Sequence, residues 1–302
     1  MRIGIDLGGT KIEAIMLADD GRVLARRRVP APRGDYRATI TALRDLAAAV
    51  QSEAGGTAPI GVGIPGTISP ATGLIKNANS TWLIGHPLDR DLAEATARPV
   101  RLANDANCFA LSEASDGAAA GYGVVFGAIL GTGCGSGIVV DGRAISGPNA
   151  VAGEWGHNPL PWRQPDELPG PQCYCGKWGC QETFLSGTGL ELDFNTITGR
   201  GLKGSEIVAA AEAGDAQAEA ALQRYEHRLA RGLATIINLL DPDVIVLGGG
   251  LSNLQRLYVN VPRLWGAFAF SDVVTTPLIK NMHGDSSGVR GAAWLWPVGA
   301  SP

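Results

Sequence analysis

The apolar positions of the first thirty residues alternate. Ile3, Ile5 and Leu7 read as one face of a strand, Gly8-Gly9 as a turn, and Ile12 to Leu17 as a returning strand that ends at Asp20-Gly21. Arg22 to Val29 supplies a third strand. The period then lengthens. Ile40, Leu43, Leu46, Ala47 and Val50 recur at helical spacing, which predicts an amphipathic helix from Tyr36 to Glu53, and the strand Ile60 to Ile64 follows it. The same grammar returns later, with a strand Val124 to Leu130, the turn Gly131-Thr132-Gly133, a strand through Val139 and a second Asp-Gly turn at Asp141-Gly142. A long helical stretch from Ala216 to Leu240 leads through Asp241-Pro242-Asp243 into the buried strand Val244 to Leu247, closed by Gly248-Gly249-Gly250.

Two copies of strand, glycine turn, strand and Asp-Gly turn predict two similar α/β halves. The boundary is expected near Asp105 to Gly121. The halves are then 1–115 and 116–286, with residues 287–302 folding back onto the first. A chain of 302 residues suits two cores better than one. The stretch from Gln164 to Gln172, rich in proline and acidic residues, reads as a surface loop.

Composition narrows the partners. A net charge of -4 gives no broad basic face for nucleic acid or a membrane surface, which leaves a small molecule. Asp6 interrupts the apolar start, so it does not read as a signal peptide, and no apolar run reaches membrane-spanning length. A soluble, cytoplasmic protein is expected. Of the 5 cysteines, Cys173, Cys175 and Cys180 crowd together, unlike a disulfide framework, and read as metal ligands in a reducing compartment.

Each glycine turn follows a buried strand and frees backbone N–H groups to approach an anion, although plain hairpin geometry accounts for any one of them. Three in one chain favour a phosphate-rich ligand held between two halves. No stretch fits the Walker A pattern, since Gly176-Lys177 is followed by Trp178. Gly61-Val62-Gly63-Ile64-Pro65-Gly66 fits the dinucleotide spacing, but Pro65 and Thr67-Ile68-Ser69-Pro70 oppose the helix that should receive a pyrophosphate. An oxidoreductase is therefore set aside. Asp105, after the short strand Val100 to Ala103, suits either a proton acceptor or the cap of a helix from Ala106 to Ala119.

Several segments carry a family resemblance. Asp6-Leu7-Gly8-Gly9-Thr10-Lys11 and Leu130-Gly131-Thr132-Gly133 resemble the two phosphate loops of the ROK family of repressors, open reading frames and kinases. Leu102-Ala103-Asn104-Asp105-Ala106-Asn107 is similar to its catalytic segment. Gly153-Glu154-Trp155-Gly156-His157, with the run from Cys173 to Glu182, is similar to its signature. Lys76 to Leu83 and His283 to Trp294 resemble the bacterial fructokinase or mannokinase branch.

The resemblance implies two actin-like (ribonuclease H-like) domains with an interdomain cleft, and an ATP-dependent hexose kinase, fructose being the first expectation. Mannose, glucose and N-acetylglucosamine are the alternatives. A sugar-responsive transcriptional regulator is a remote one, opposed by a first strand that begins at Arg2 and leaves no room for a helix-turn-helix. By the same resemblance Asp105 is the general base, and Asp6, Gly8, Gly9, Thr10 and Lys11 face the phosphates and Mg2+. Gly131, Thr132 and Gly133 cover the other side, and Gly249, Gly250 and Leu251 form the adenosine edge. Gly66, Asn79, Asn104, Glu154, His157 and Glu182 hold the sugar. His157, Cys173, Cys175 and Cys180 make a Cys3His set for structural Zn2+, although their spacing departs from paired Cys-x-x-Cys and also suits reduced, buried thiols. His157 is thus expected in two roles, one ring nitrogen on the metal and the other toward a sugar hydroxyl. A homodimer is the expected assembly.

Overall fold

Residues 1–300 are described in the computed structural model. β1 (Arg2–Leu7) is central to a five-stranded sheet because both of its faces are covered. Ile3, Ile5 and Leu7 join a core with Leu43, Leu46 and Val50 of α1 (Tyr36–Ala54), a helix capped by Asp35, whose side chain accepts from the N–H of Ala38 at 2.9 Å. β1 pairs antiparallel with β2 (Lys11–Leu17), and β2 with β3 (Val23–Pro30). On its other edge β1 runs parallel to β4 (Ile60–Ile64). A two-stranded ribbon of β5 (Thr67–Ile68) and β6 (Ile75–Lys76) and the helix α2 (Leu88–Thr96) come before β7 (Val100–Asn104), which extends the sheet parallel to β4. The order is β3-β2-β1-β4-β7, and α3 (Asp105–Asp116) leaves from the end of β7.

The second sheet repeats this arrangement with β8 (Val124–Leu130), β9 (Cys134–Val140) and β10 (Arg143–Ala144). The helices α4 (Glu182–Leu185), α5 (Gly187–Thr198), α6 (Gly204–Glu212) and α7 (Ala216–Leu240) follow. After them come β11 (Val244–Gly248), α8 (Gln255–Trp265) and β12 (Leu278–Lys280). The order β10-β9-β8-β11-β12 matches the first sheet position for position. β11 is buried along its whole length between β8 and β12, as a parallel strand covered on both faces must be. α7 packs against α4, α5, α6 and α8.

The last helix, α9 (Ser287–Trp294), packs on β1, β2, β4 and α3. It comes close because Gly4 and Gly61 have no side chains: a Cβ on Gly4 would collide with the carbonyl oxygen of Val289, and one on Gly61 with that of Ala292.

The chain divides into two compact units. The first comprises residues 1–123, 137–152 and the chain from 282 onward, and the second 124–136 and 153–281. Residues 116–123, 137–152 and 282–286, which the sequence pattern gave to the second half, are therefore part of the first unit. Among the described residues no helix is long and apolar enough to cross a membrane.

Candidate functional site

In the first unit the loop Gly8-Gly9-Thr10 closes the β1–β2 hairpin. The Gly8 N–H donates to the Lys11 carbonyl at 3.1 Å, and Arg33 Nε holds the Gly9 carbonyl at 2.7 Å. Gly9, Thr10 and Lys11 are exposed. Asp6, at the end of β1, has Gly63 and Gly288 beside its carboxylate, and the Cys108 side chain also lies against Gly63. Burial, and next the charge of Asp105, push the Asp6 carboxyl up to about 6. Its cross-strand neighbour Glu13 is buried and paired with Arg26 and Arg28.

Asp105 is the first residue of α3 and is exposed. The helix cap is Asn104, whose side chain accepts from the Ala106 N–H at 2.9 Å, and Asp105 Oδ1 accepts from the same N–H at 2.8 Å. Asn104 Nδ2 reaches the Gly66 carbonyl at 3.4 Å. Asn79 donates its backbone N–H to the Pro65 carbonyl at 3.1 Å. A Cβ on Gly66 would stand 2.9 Å from both the Lys76 carbonyl and the Ala78 methyl, which brings the segment 76–79 against the turn. Gly66, Asn79 and Asn104, far apart in sequence, thus meet at the ends of β4 and β7.

In the second unit Gly131, Thr132, Gly250 and Leu251 line a cavity of about 580 Å³ with Leu130 and Val208. The loop is fixed from behind, since the Gly187 N–H donates to the Gly131 carbonyl at 2.7 Å and Thr188 Oγ1 to that of Thr132 at 2.9 Å. Gly249 has φ 78° and its missing Cβ would stand against the Leu130 carbonyl, so this position requires glycine on two counts. Gly133 lies over Glu182, whose Oε2 accepts the Cys134 N–H at 3.0 Å. Glu191 of α5, Val208 of α6 and Lys203, which caps the start of α6, also line the cavity, and no local motif marks them.

Glu154, exposed, precedes the 3-10 turn Trp155–His157. The ligand atoms of His157, Cys173, Cys175 and Cys180 lie within 4.8 Å of one another, and Cys173, Cys180 and the neighbouring Trp155 are buried. His157 Nδ1 is 3.5 Å from Cys173 Sγ, and Cys175 Sγ is 3.6 Å from Cys180 Sγ. The backbone N–H of Lys177 draws the Cys175 thiol down to about 7. Four soft donors converging at this spacing fit a tetrahedral zinc ion. The other ring nitrogen, Nε2, is already taken: it lies 2.9 Å from the Tyr174 hydroxyl.

The structure supplies partners that the sequence did not reveal. His283 Nε2 is 3.1 Å from Asp116 Oδ1, His86 stacks on Tyr36 at 3.8 Å, and His227 meets Phe268 edge-on. The 164–172 stretch is not a surface loop throughout, because Glu167 is buried within it.

The family model for the ROK family matches residues 2–298. The chain is 39% identical over 299 residues to an N-acetyl-D-glucosamine kinase of Yersinia pseudotuberculosis, covering 98% of each protein. It is also similar to the crystal structure of a ROK hexokinase from Thermus thermophilus, with a TM-score of 0.87 and 34% identity over 97% of this chain and 96% of that one. A ROK family glucokinase from Streptomyces griseus in complex with glucose and AMPPNP matches with a TM-score of 0.75 and 27% identity, over 97% of this chain and 98% of the other.

Proposed function

Since the chain belongs to the ROK family, we propose that it is an ATP-dependent sugar kinase whose substrate is N-acetyl-D-glucosamine. The observation that carries the chemistry is the placement of an exposed carboxylate, Asp105, close enough to the half-buried Asp6 to perturb it, on the same unit as the glycine loop 8–10. The identity to N-acetyl-D-glucosamine kinases along nearly the whole of both chains supports that sugar over fructose, the first expectation from the sequence.

In this reading Asp105 accepts the proton of a sugar hydroxyl as that oxygen bonds to the γ-phosphorus. The bond from phosphorus to the β–γ bridging oxygen breaks, and ADP leaves. Asp6 would hold magnesium through a water, and the ion would supply charge neutralisation to the phosphates when bound. Gly8, Gly9, Thr10 and Lys11, with Gly131, Thr132 and Gly133, offer N–H groups and a cation to the phosphates. The cavity beside Gly250 and Leu251 takes the nucleoside. Gly66, Asn79, Asn104, Glu154 and Glu182 hold sugar hydroxyls, which offer donors and acceptors that amides and carboxylates complement. His157, Cys173, Cys175 and Cys180 hold a structural zinc, and the protein works as a homodimer in the cytoplasm.

A coupled ADP-release assay over N-acetylglucosamine, fructose, mannose and glucose tests the reading. The expected result is the highest kcat/KM for N-acetylglucosamine. A preference for fructose would move the substrate, and no ADP release with any hexose would overturn the kinase assignment.

A further inference from the structure

Between His157 and Cys173 lies Glu167, the centre of a deeply buried charge cluster of the second unit. Glu167 is 6% exposed, Arg228 6% and Arg231 0%. Arg228 Nε donates to Glu167 Oε1 at 2.8 Å, while Arg231 donates to the two carboxylate oxygens at 2.6 and 2.8 Å. The Gln164 N–H adds a fourth bond at 2.8 Å. Burial pushes the Glu167 carboxyl up, but the bonds from Arg231 and Arg228 outweigh it and hold the group down at about 2. Both arginines belong to α7, where Arg228 also binds Asp193 at 2.7 Å.

None of these groups belongs to the proposed phosphate, sugar or metal sets, yet their contacts run toward the metal set. Arg231 Nη1 also donates to the Trp162 carbonyl at 2.6 Å, so α7 grips the loop at two points, Trp162 and Glu167. The loop then packs on the cysteine segment. The missing Cβ of Gly179 would stand 2.8 Å from the Pro169 carbonyl, and that of Gly170 2.7 Å from Gly179 Cα. Gly179 immediately precedes Cys180, and its carbonyl accepts the Leu160 N–H at 2.9 Å. A loop rich in proline and polar side chains has little apolar surface with which to hold itself down. A buried carboxylate between two guanidinium groups of a rigid helix does so instead.

We propose that Glu167 is a positioning residue for the metal set, acting with Arg228 and Arg231 to hold the His157 and Cys180 segments at ligand spacing whether or not the ion is bound. The cysteine loop is therefore preorganised by charge pairing with α7, and metal affinity depends on a carboxylate that never touches the metal. This rests on the four-ligand reading alone and not on the sugar or the nucleotide.

The test is the rate at which a chelator strips zinc from the purified, zinc-loaded full chain, followed with a colorimetric zinc indicator in the absence of ATP and sugar. Glu167→Gln keeps the shape and removes the charge. Glu226→Gln is the control, since Glu226 is equally buried on α7 but its arginine partner, Arg256, lies on α8. At a temperature where both remain folded, Glu167→Gln is expected to release zinc about tenfold faster than the parent, the lower end of what outer contacts contribute to metal affinity. Glu226→Gln is expected to release it at the parent's rate. Equal release from the two variants would mean that Glu167 acts only through general stability and would overturn the proposal, as would a Glu167→Gln rate equal to the parent's or a parent that binds no zinc. If Glu167→Gln does not fold, Arg228→Lys, which keeps the charge and the Arg231 pair but loses the guanidinium fork, is expected to release zinc faster than Glu226→Gln. Release no faster than that control would overturn the proposal equally.

Discussion

His157 Nε2 and the Tyr174 hydroxyl oxygen are 2.9 Å apart, while His157 Nδ1 faces Cys173 Sγ. If Nδ1 binds a metal, Nε2 carries the ring proton and the Tyr174 oxygen accepts it, leaving the exposed Tyr174 O–H free to donate outward. The sugar contact expected of His157 then passes through Tyr174. Tyr174→Phe should raise the sugar KM by roughly three- to tenfold, the value of about one hydrogen bond. The KM for ATP and the zinc content should not change. A sugar KM equal to the parent's would show that no such contact exists.

Asp105→Asn separates base from helix start. The amide oxygen can still accept the Ala106 N–H that Asp105 Oδ1 accepts now, and Asn104 remains the cap, so the melting temperature should stay near the parent's. Turnover should drop by about 10² to 10⁴, the usual worth of a general base, while ATP affinity measured by calorimetry is kept. Turnover close to the parent's would remove Asp105 from the chemistry.

Asp6 makes the pH dependence specific. With its carboxyl raised to about 6, by burial first and Asp105 next, the magnesium-assisted binding of ATP should weaken as pH falls through about 6, because the protonated acid cannot hold a metal-bound water. Asp105→Asn removes the second cause, so the same limb should move to lower pH in that variant, a shift readable by binding without turnover. Stability has the opposite sign. A raised carboxyl costs folding free energy above its folded pKa and nothing below its unfolded one, so Asp6→Asn should stabilise the protein more at pH 8 than at pH 4. An equal gain at both pH values would contradict the burial argument.

Gly61→Ala tests the close approach of α9. The added methyl would collide with the Ala292 carbonyl, a backbone atom that cannot turn aside, and the expected loss is about 1–3 kcal/mol by thermal or denaturant unfolding. Gly266→Ala, whose Cβ would meet nothing within 4 Å and whose φ of -58° any residue adopts, should stabilise by about 0.4–1 kcal/mol through the unfolded chain's lost freedom. Equal effects from the two would mean that the α9 contact is not tight.

What the sequence disclosed was local. The β1–β2 hairpin, the amphipathic α1 and the whole of α7 were legible because burial repeats at a fixed period within each element. The glycine turns were legible because their backbone geometry is written in the residue type. Asn104 as the cap of α3 was missed in favour of Asp105, since two adjacent residues of equal capping ability cannot be ranked without coordinates. Glu167 looked like solvent-facing charge because its neutralising partners, Arg228 and Arg231, arrive from a helix more than fifty residues later. His283 lacked a visible partner because Asp116 lies on the far side of the intervening unit in sequence. The lining of the cavity beside Gly250 and Leu251 by α5 and α6 is likewise set by packing, with no motif to announce it.

The return of α9 to the first sheet also orders events during synthesis. The chain emerges from the ribosome with its N-terminal residues first, yet the groove over Gly4 and Gly61 stays open until residues 287–294 have been made. A nascent chain that has reached residue 281 contains every strand of both sheets and all of the second unit, while the first unit still exposes to water the side chains of Ile15 and Leu17 that Val289 and Ala293 will cover. The half that begins the chain is therefore the half that finishes last.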